Sequence, residues 1–342
     1  MLVRIHWTGV AAAYVAAVVG AGFATGQELA HFFARHGRWG LAAAAAAGVL
    51  FAVAGAAILR RSSVARHQHY GALLRDLCGP RLGRVMDTVS FCSLFIALST
   101  TLAAGGALAH ILLGYPRWLG ACAMSAALSA AARRGLKAHV GASALTVPAI
   151  VLVCLRAAAT SARRPPPFDP HVVPLLASLA SAVLYVSYNL IMGMASLCAT
   201  SGAQPPREAT RAGWVGGALL GLLCVAGCAA LLSQALPGGV DLPLRMALPP
   251  GPWRTVVYPL TLLAALWTTG SAAALALGQR LCPAGPESPA SVVVVLALPP
   301  ALAGLAPLIA VAYPVVGYAG VPLLLALGWA ACHGQGHVPR AR

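Results

Sequence analysis

Gly20-Ala21-Gly22-Phe23-Ala24-Thr25-Gly26-Gln27-Glu28 interrupts an apolar run that begins near Thr8 and continues past Phe32-Phe33. Three glycines and a carboxyl group are poorly suited to an unbroken membrane helix. Backbone that leaves the helix at that depth must be satisfied by protein or by a wet cavity. A polar break near the bilayer midplane therefore reads as a binding site.

The rest of the chain places that break in a membrane. Of 342 residues, 59% are hydrophobic and 9% charged, with a mean hydropathy of +0.81. So few charges cannot cover a soluble surface. Apolar stretches recur end to end, the pattern of a polytopic all-α membrane protein. The net charge of +16 sits largely in short loops between apolar runs. There it acts as a topology signal and a contact for anionic lipid rather than as a nucleic-acid surface.

About 20 residues per crossing divides the chain into ten segments, near 8–36, 40–60, 84–113, 115–133, 138–157, 172–200, 210–236, 254–280, 290–305 and 307–331. Pro299-Pro300 and Pro314 interrupt the last two, which a single broken hairpin would also explain. With the N-terminus inside, Arg60, Arg61, Arg66, Arg75, Arg81, Arg84, Arg133, Arg134, Lys137, Arg207, Arg211 and Arg280 fall on inner loops. Fewer basic residues fall outside, among them Arg35, Arg38, Arg117 and Arg245. The positive-inside rule then puts both termini in the cytoplasm of a multi-pass cell (inner) membrane protein. Tyr70, Leu73, Leu74 and Leu77 form an amphipathic stretch suited to the headgroup layer. Met1–Trp7 and the alanine run after it imitate a signal peptide, but no clear cleavage site follows.

The charged, stiff Arg163-Arg164-Pro165-Pro166-Pro167 divides the chain near its middle. The expected organisation is a first five-helix repeat over 1–158, an extracellular linker over 159–170, a second repeat over 171–332 and a cytoplasmic tail over 333–342. An odd number of spans per half makes the two repeats inverted. The first and sixth segments are the longest, and both carry polar residues where a break would fall: Gly20 to Gly26 in one, Tyr185, Ser187, Tyr188, Asn189 and then Gly193 in the other. Both are expected to unwind there.

Each feature also has a plainer reading. Gly22 and Gly26 form a GxxxG, a close-packing motif. Thr25-Gly26-Gln27-Glu28 fits a capping box, which would make Glu28 a structural cap instead of a coupling-ion or proton site. Asn189 can serve as a helix–helix hydrogen bond. Ser99-Thr100-Thr101 and Thr268-Thr269 can bond back to their own helices or offer oxygens to a small cation. The nine cysteines, including Cys224 and Cys228 on one helix face, lack metal-ligand spacing and read as packing residues. No Ser/His/Asp set or phosphate-cradling loop appears, so an enzyme is not expected.

GAGFATGQE, the sixth-segment YVSYN, the eighth-segment TTG and the terminal YPVVGYAG resemble the YkvI family of bacterial membrane proteins. That family is similar to LeuT-fold transporters of the amino acid–polyamine–organocation superfamily. The resemblance implies ten helices in two inverted five-helix repeats around a central substrate, moved by alternating access. By motif, substrate contacts would be Gly20, Gly22, Phe23, Gly26, Tyr188 and Asn189. An ion-coupling set would comprise Glu28 with Ala16, Val19, Ala265, Thr268 and Thr269. The implied function is ion-coupled transport of a small polar organic solute, an amino acid or amine, with Na⁺ or H⁺ as coupling ion and no other cofactor. The alternative is a solute-binding sensor or germinant-receptor-like subunit. Glu28 and the absence of two further helices depart from the well-studied sodium symporters.

Overall fold

In the computed structural model, residues 6–67, 70–134, 136–161, 173–202, 204–234, 240–282 and 289–332 are described, with side chains omitted at 132–145 and 330–332. The linker prolines Pro165–Pro167 and the 333–342 tail lie outside them. Among the described residues every regular element is a helix. Six helices are long and apolar enough to cross a membrane, and Trp7–Val18, Thr146–Ser161 and Ala290–Ala301 are shorter apolar helices.

The ten expected segments each fall on helix. The first is split into α1 (Trp7–Val18), α2 (Ala21–Thr25) and α3 (Gln27–Phe32). The second is α4 (Arg38–Ala65). The third lies in α5 (Tyr70–Leu113), which bends at Gly79, where φ is 79°, just before Pro80. That bend detaches the amphipathic Tyr70–Cys78 stretch from the apolar length behind it. The fourth and fifth segments are α6 (Arg117–Arg134) and α7 (Leu136–Ser161). The sixth, seventh and eighth correspond to α8 (Leu175–Ser201), α9 (Pro206–Leu232) and α11 (Tyr258–Leu281). A short α10 (Pro243–Ala247) sits between the last two. The ninth segment is α12 (Ala290–Leu296) with α13 (Leu298–Ala301). After a turn at Gly304, the tenth is α14 (Leu305–Pro307), a π-turn and α15 (Tyr313–Cys332).

One expectation is overturned. The sixth segment does not unwind: α8 runs as continuous helix from Leu175 to Ser201. Its polar residues are absorbed without a break. Asn189 Nδ2 donates to the Tyr185 carbonyl one turn back at 2.9 Å, and the Ser187 hydroxyl donates to the Gly317 carbonyl of α15 at 2.7 Å. Gly193 stays helical where α8 passes Ala17 of α1.

Packing follows from small residues. Gly213, Gly217 and Gly221, spaced by four on α9, lie against Ala56, Ala52 and Gly48 of α4. Such a stripe lets two backbones approach closely in lipid, where apolar burial alone does not drive association. The same absence of side chains at Gly55 and Gly216 makes room for the Tyr14 ring of α1. The Tyr14 hydroxyl donates to the Phe51 carbonyl at 2.8 Å. The helix carrying the break thereby packs against α8 and α9 and reaches α4 through Tyr14.

Candidate functional site

Two discontinuities divide the first segment. At the first, Val19 leaves the helix with ψ at 72° and Gly20 turns extended. The Val19 N–H bonds Val15 O, and the Gly20 N–H bonds Val18 O, both at 2.8 Å. The Ala16 carbonyl, which a continuous helix would pair with the Gly20 N–H, is released. At the second, Gly26 takes φ of 87°, a left-handed conformation that glycine adopts without steric cost. A side chain at Gly26 would strike the Leu244 backbone of α10.

The capping box does not form. Gly26 itself occupies the cap position of α3. The Thr25 hydroxyl donates to the Gly22 carbonyl at 2.8 Å. Glu28 instead folds back until its carboxyl group covers the bare Cα of Gly22, leaving no space there for a Cβ. Gly22 is therefore the seat of Glu28, and its open face is already filled.

From that seat the carboxyl group meets the Tyr185 and Tyr188 hydroxyls of α8. Glu28 is 3% exposed and both tyrosines are fully buried. The three groups face one another without closing a hydrogen bond. Glu28 Oε2 and the two hydroxyls are all buried without a partner among the described residues. Glu28 also has no ion pair among them. Aromatic rings enclose the group. Phe32 lies 5.5 Å from Tyr185 and 5.4 Å from Tyr188, Phe33 lies 4.8 Å from Tyr185, and Tyr313 of α15 lies 4.8 Å from Tyr188, between centroids. The Tyr313 hydroxyl shares a 2.9 Å hydrogen bond with Thr100 of α5.

Other expected residues are distributed around the two breaks. Thr269 stands beside Gly20, its Oγ1 3.5 Å from the place a Cβ would occupy. Both residues are only half-buried. Thr268 donates to the Ala265 carbonyl at 3.1 Å, which leaves its lone pairs available to a cation. Val19, Phe23 and Ala265 are buried, while Ala16 is half-buried. α11 meets the first helix through Thr269 at Gly20 and through the Tyr258 hydroxyl, which donates to the Ala24 carbonyl at 3.2 Å. Asn189 bonds its own helix. Ser99, Thr100 and Thr101 all donate to carbonyls of α5, as the plainer reading had it.

Tyr185, Tyr313 and Phe32 were not among the expected site residues. Tyr185 and Tyr313 stand inside the motifs YVSYN and YPVVGYAG, and a buried tyrosine needs a partner for its hydroxyl. The α10 cover over Gly26 was also missed. The Gln27 side-chain amide donates to the Val240 carbonyl, and Arg117 of α6 pairs with Asp241 at 2.6 Å. These contacts hold the segment beginning at Val240 across the second break.

Away from the break, Asp87 of α5 pairs with Arg280 at the end of α11. Arg61 contacts Asp76 at 2.7 Å, with His67 beside it at 3.3 Å. The hydrogen bond from the Arg61 guanidinium holds the Asp76 carboxyl below its ordinary range, against partial burial.

No model of a known protein family matches the chain. Over 148 residues it is 29% identical to the uncharacterized membrane protein YkvI of Bacillus subtilis (strain 168), a match spanning 43% of each chain and so less than half the length of that relative. Its fold is like that of the Eremococcus coleocola manganese transporter, with a TM-score of 0.61 at 14% identity, covering 96% of this chain and 78% of that one. It is also like a Na⁺-coupled sialic acid symporter, with a TM-score of 0.53 at 12% identity, covering 96% of this chain and 75% of the other. The protein is thus a multi-pass membrane protein that resembles YkvI, with a transporter-like fold. Its relatives are membrane proteins and transporters rather than enzymes.

Proposed function

We propose that this protein is a secondary active transporter of a small polar organic solute, an amino acid or amine, coupled to Na⁺ or H⁺. It works by alternating access, with ten helices in two inverted five-helix repeats and both termini in the cytoplasm of the cell membrane. The observation that carries the reading is the Glu28 carboxyl, buried at the break of the first helix with unpartnered tyrosine hydroxyls before it. An isolated buried charge costs several kcal/mol (roughly) unless a counter-charge arrives. Ionisable groups inside membrane bundles mark solute and ion pathways for that reason.

The second element is the half-buried Gly20–Thr269 contact. Carbonyls released from α1 and hydroxyls of α11 offer the oxygens a coupling sodium ion requires, with Ala16, Val19, Ala265, Thr268 and Thr269 as its ligands. The Val240–Ala247 cover, tied to Arg117 just past the end of α5, and the Asp87–Arg280 pair near its beginning would serve as the two closures that alternating access needs. The transporter-like fold supports the same reading.

Uptake of a labelled amino acid and amine panel into proteoliposomes, under imposed sodium or proton gradients, tests it. Accumulation that collapses with the gradient is expected. Ligand binding without flux under either gradient would replace transport with solute sensing.

A further inference from the structure

Three buried oxygens converge from two helices: Glu28 Oε2 beside the α2–α3 break, and the Tyr185 and Tyr188 hydroxyls of α8. Such groups are rarely left unpaired, because each loses its hydration and receives nothing in return. Their chemistry limits what completes them. A carboxylate only accepts, and a tyrosine hydroxyl offers an acceptor oxygen as well as a proton. Three acceptors and one negative charge call for a cation with several N–H donors.

We propose that Glu28, Tyr185 and Tyr188 seat a primary ammonium group, so that the solute is held by its amino end. The inference rests on the transporter reading for its context and deepens it by naming what the central carboxylate binds. An ammonium carries three N–H donors, one for each unpartnered oxygen. A lone proton on Glu28 lets it donate to one hydroxyl and leaves the other without a partner. The surrounding walls favour the same guest. The rings of Phe32, Tyr185, Tyr188 and Tyr313 form one connected aromatic cluster beside these oxygens, and aromatic rings attract desolvated organic cations. Gly22 completes the seat by letting the carboxyl group lie flat on the helix behind it.

The test uses the full chain purified in lipid nanodiscs, with thermal stabilisation and calorimetric titration as readouts. Methylammonium chloride, glycine, tetramethylammonium chloride, sodium acetate and sodium chloride are the probes. Methylammonium is expected to stabilise the protein, and tetramethylammonium, which has no N–H, to bind at least about tenfold more weakly. Stabilisation by glycine as well as methylammonium identifies amino acids as solutes; stabilisation by methylammonium alone identifies simple amines. Either result supports the seat. Glu28→Gln preserves shape and is expected to weaken methylammonium binding by about tenfold or more; Tyr188→Phe keeps the ring and should cost about three- to tenfold.

Equal responses to methylammonium and tetramethylammonium, or to sodium acetate, overturn the proposal. So does wild-type affinity in Tyr188→Phe together with Glu28→Gln. The two readings fail separately. Ammonium binding without flux of any amine ends the transport reading and leaves the seat. Flux of a solute lacking an ammonium, unaffected by Glu28→Gln, does the reverse.

Discussion

The Glu28 carboxyl lies against the bare Cα of Gly22, six residues earlier and on the far side of a left-handed turn at Gly26. The pair explains why a glycine occupies a short helix that it would otherwise weaken. Gly22→Ala places a methyl group where the carboxyl rests, in a site with no exposed side on which to relax. Overpacking of this kind costs about 1–3 kcal/mol. The expected result is a lower unfolding temperature together with loss of uptake comparable to Glu28→Gln. Wild-type uptake in Gly22→Ala would show that Glu28 can leave its seat without consequence.

Gly26→Ala tests the second break in a different way. The residue has φ of 87°, which costs a non-glycine residue about 1–2 kcal/mol. The added Cβ also meets the Leu244 backbone of α10. Both effects act on the cover, so the substitution should destabilise the protein and detach the Val240–Ala247 segment. A cysteine at Leu244, buried in the wild type, should then react faster with a membrane-impermeant maleimide. Unchanged labelling would mean that α10 does not depend on Gly26 for its position.

The first break was legible because glycines and a carboxyl group are costly inside an apolar run. Where Glu28 points was not legible. Spacing from Thr25 fits a cap equally well, and the choice is made by the space over Gly22, which only the folded chain reveals. The sixth segment misled for a related reason. Tyr185, Ser187, Tyr188 and Asn189 look like a break, but a helix can absorb each of them if a carbonyl or another helix receives its polar group. Asn189 and Ser187 find such carbonyls. Among the described residues the two tyrosine hydroxyls do not, and they face Glu28 instead. The α10 cover left no periodic signal, since five residues are too few to show one.

Thr269→Val removes the hydroxyl beside Gly20 and keeps a branched side chain of similar size. If sodium is the coupling ion, its stimulation of uptake should fall, with the half-saturating sodium concentration raised about tenfold or more, as for loss of a ligand oxygen to a charged partner. Thr268→Ala should act in the same direction, because its hydroxyl lies one residue away and already bonds Ala265 O. Uptake measured against external sodium reads the effect. An unchanged sodium dependence in both variants removes α11 from the ion site; uptake that does not respond to sodium even in the wild type leaves a proton as the coupling ion.

Acid sensitivity of the contact between α4 and the start of α5 follows from Asp76. Its carboxyl is held below the ordinary value of 3.8, first by the hydrogen bond from Arg61. A depressed carboxylate contributes stability that is fully present above its unfolded pKa and is lost as pH falls through the lower folded value. At neutral pH the contact is complete; acidification below about pH 4 should loosen the link between α4 and the Tyr70–Cys78 stretch. Asp76→Asn removes the charge and should lower the unfolding temperature at pH 7, with the gap to wild type narrowing on acidification. Both partners are about one-quarter exposed, so solvent screening keeps the effect modest. A gap that stays constant from pH 7 down to pH 3 would show that Asp76 acts there by shape and not by charge.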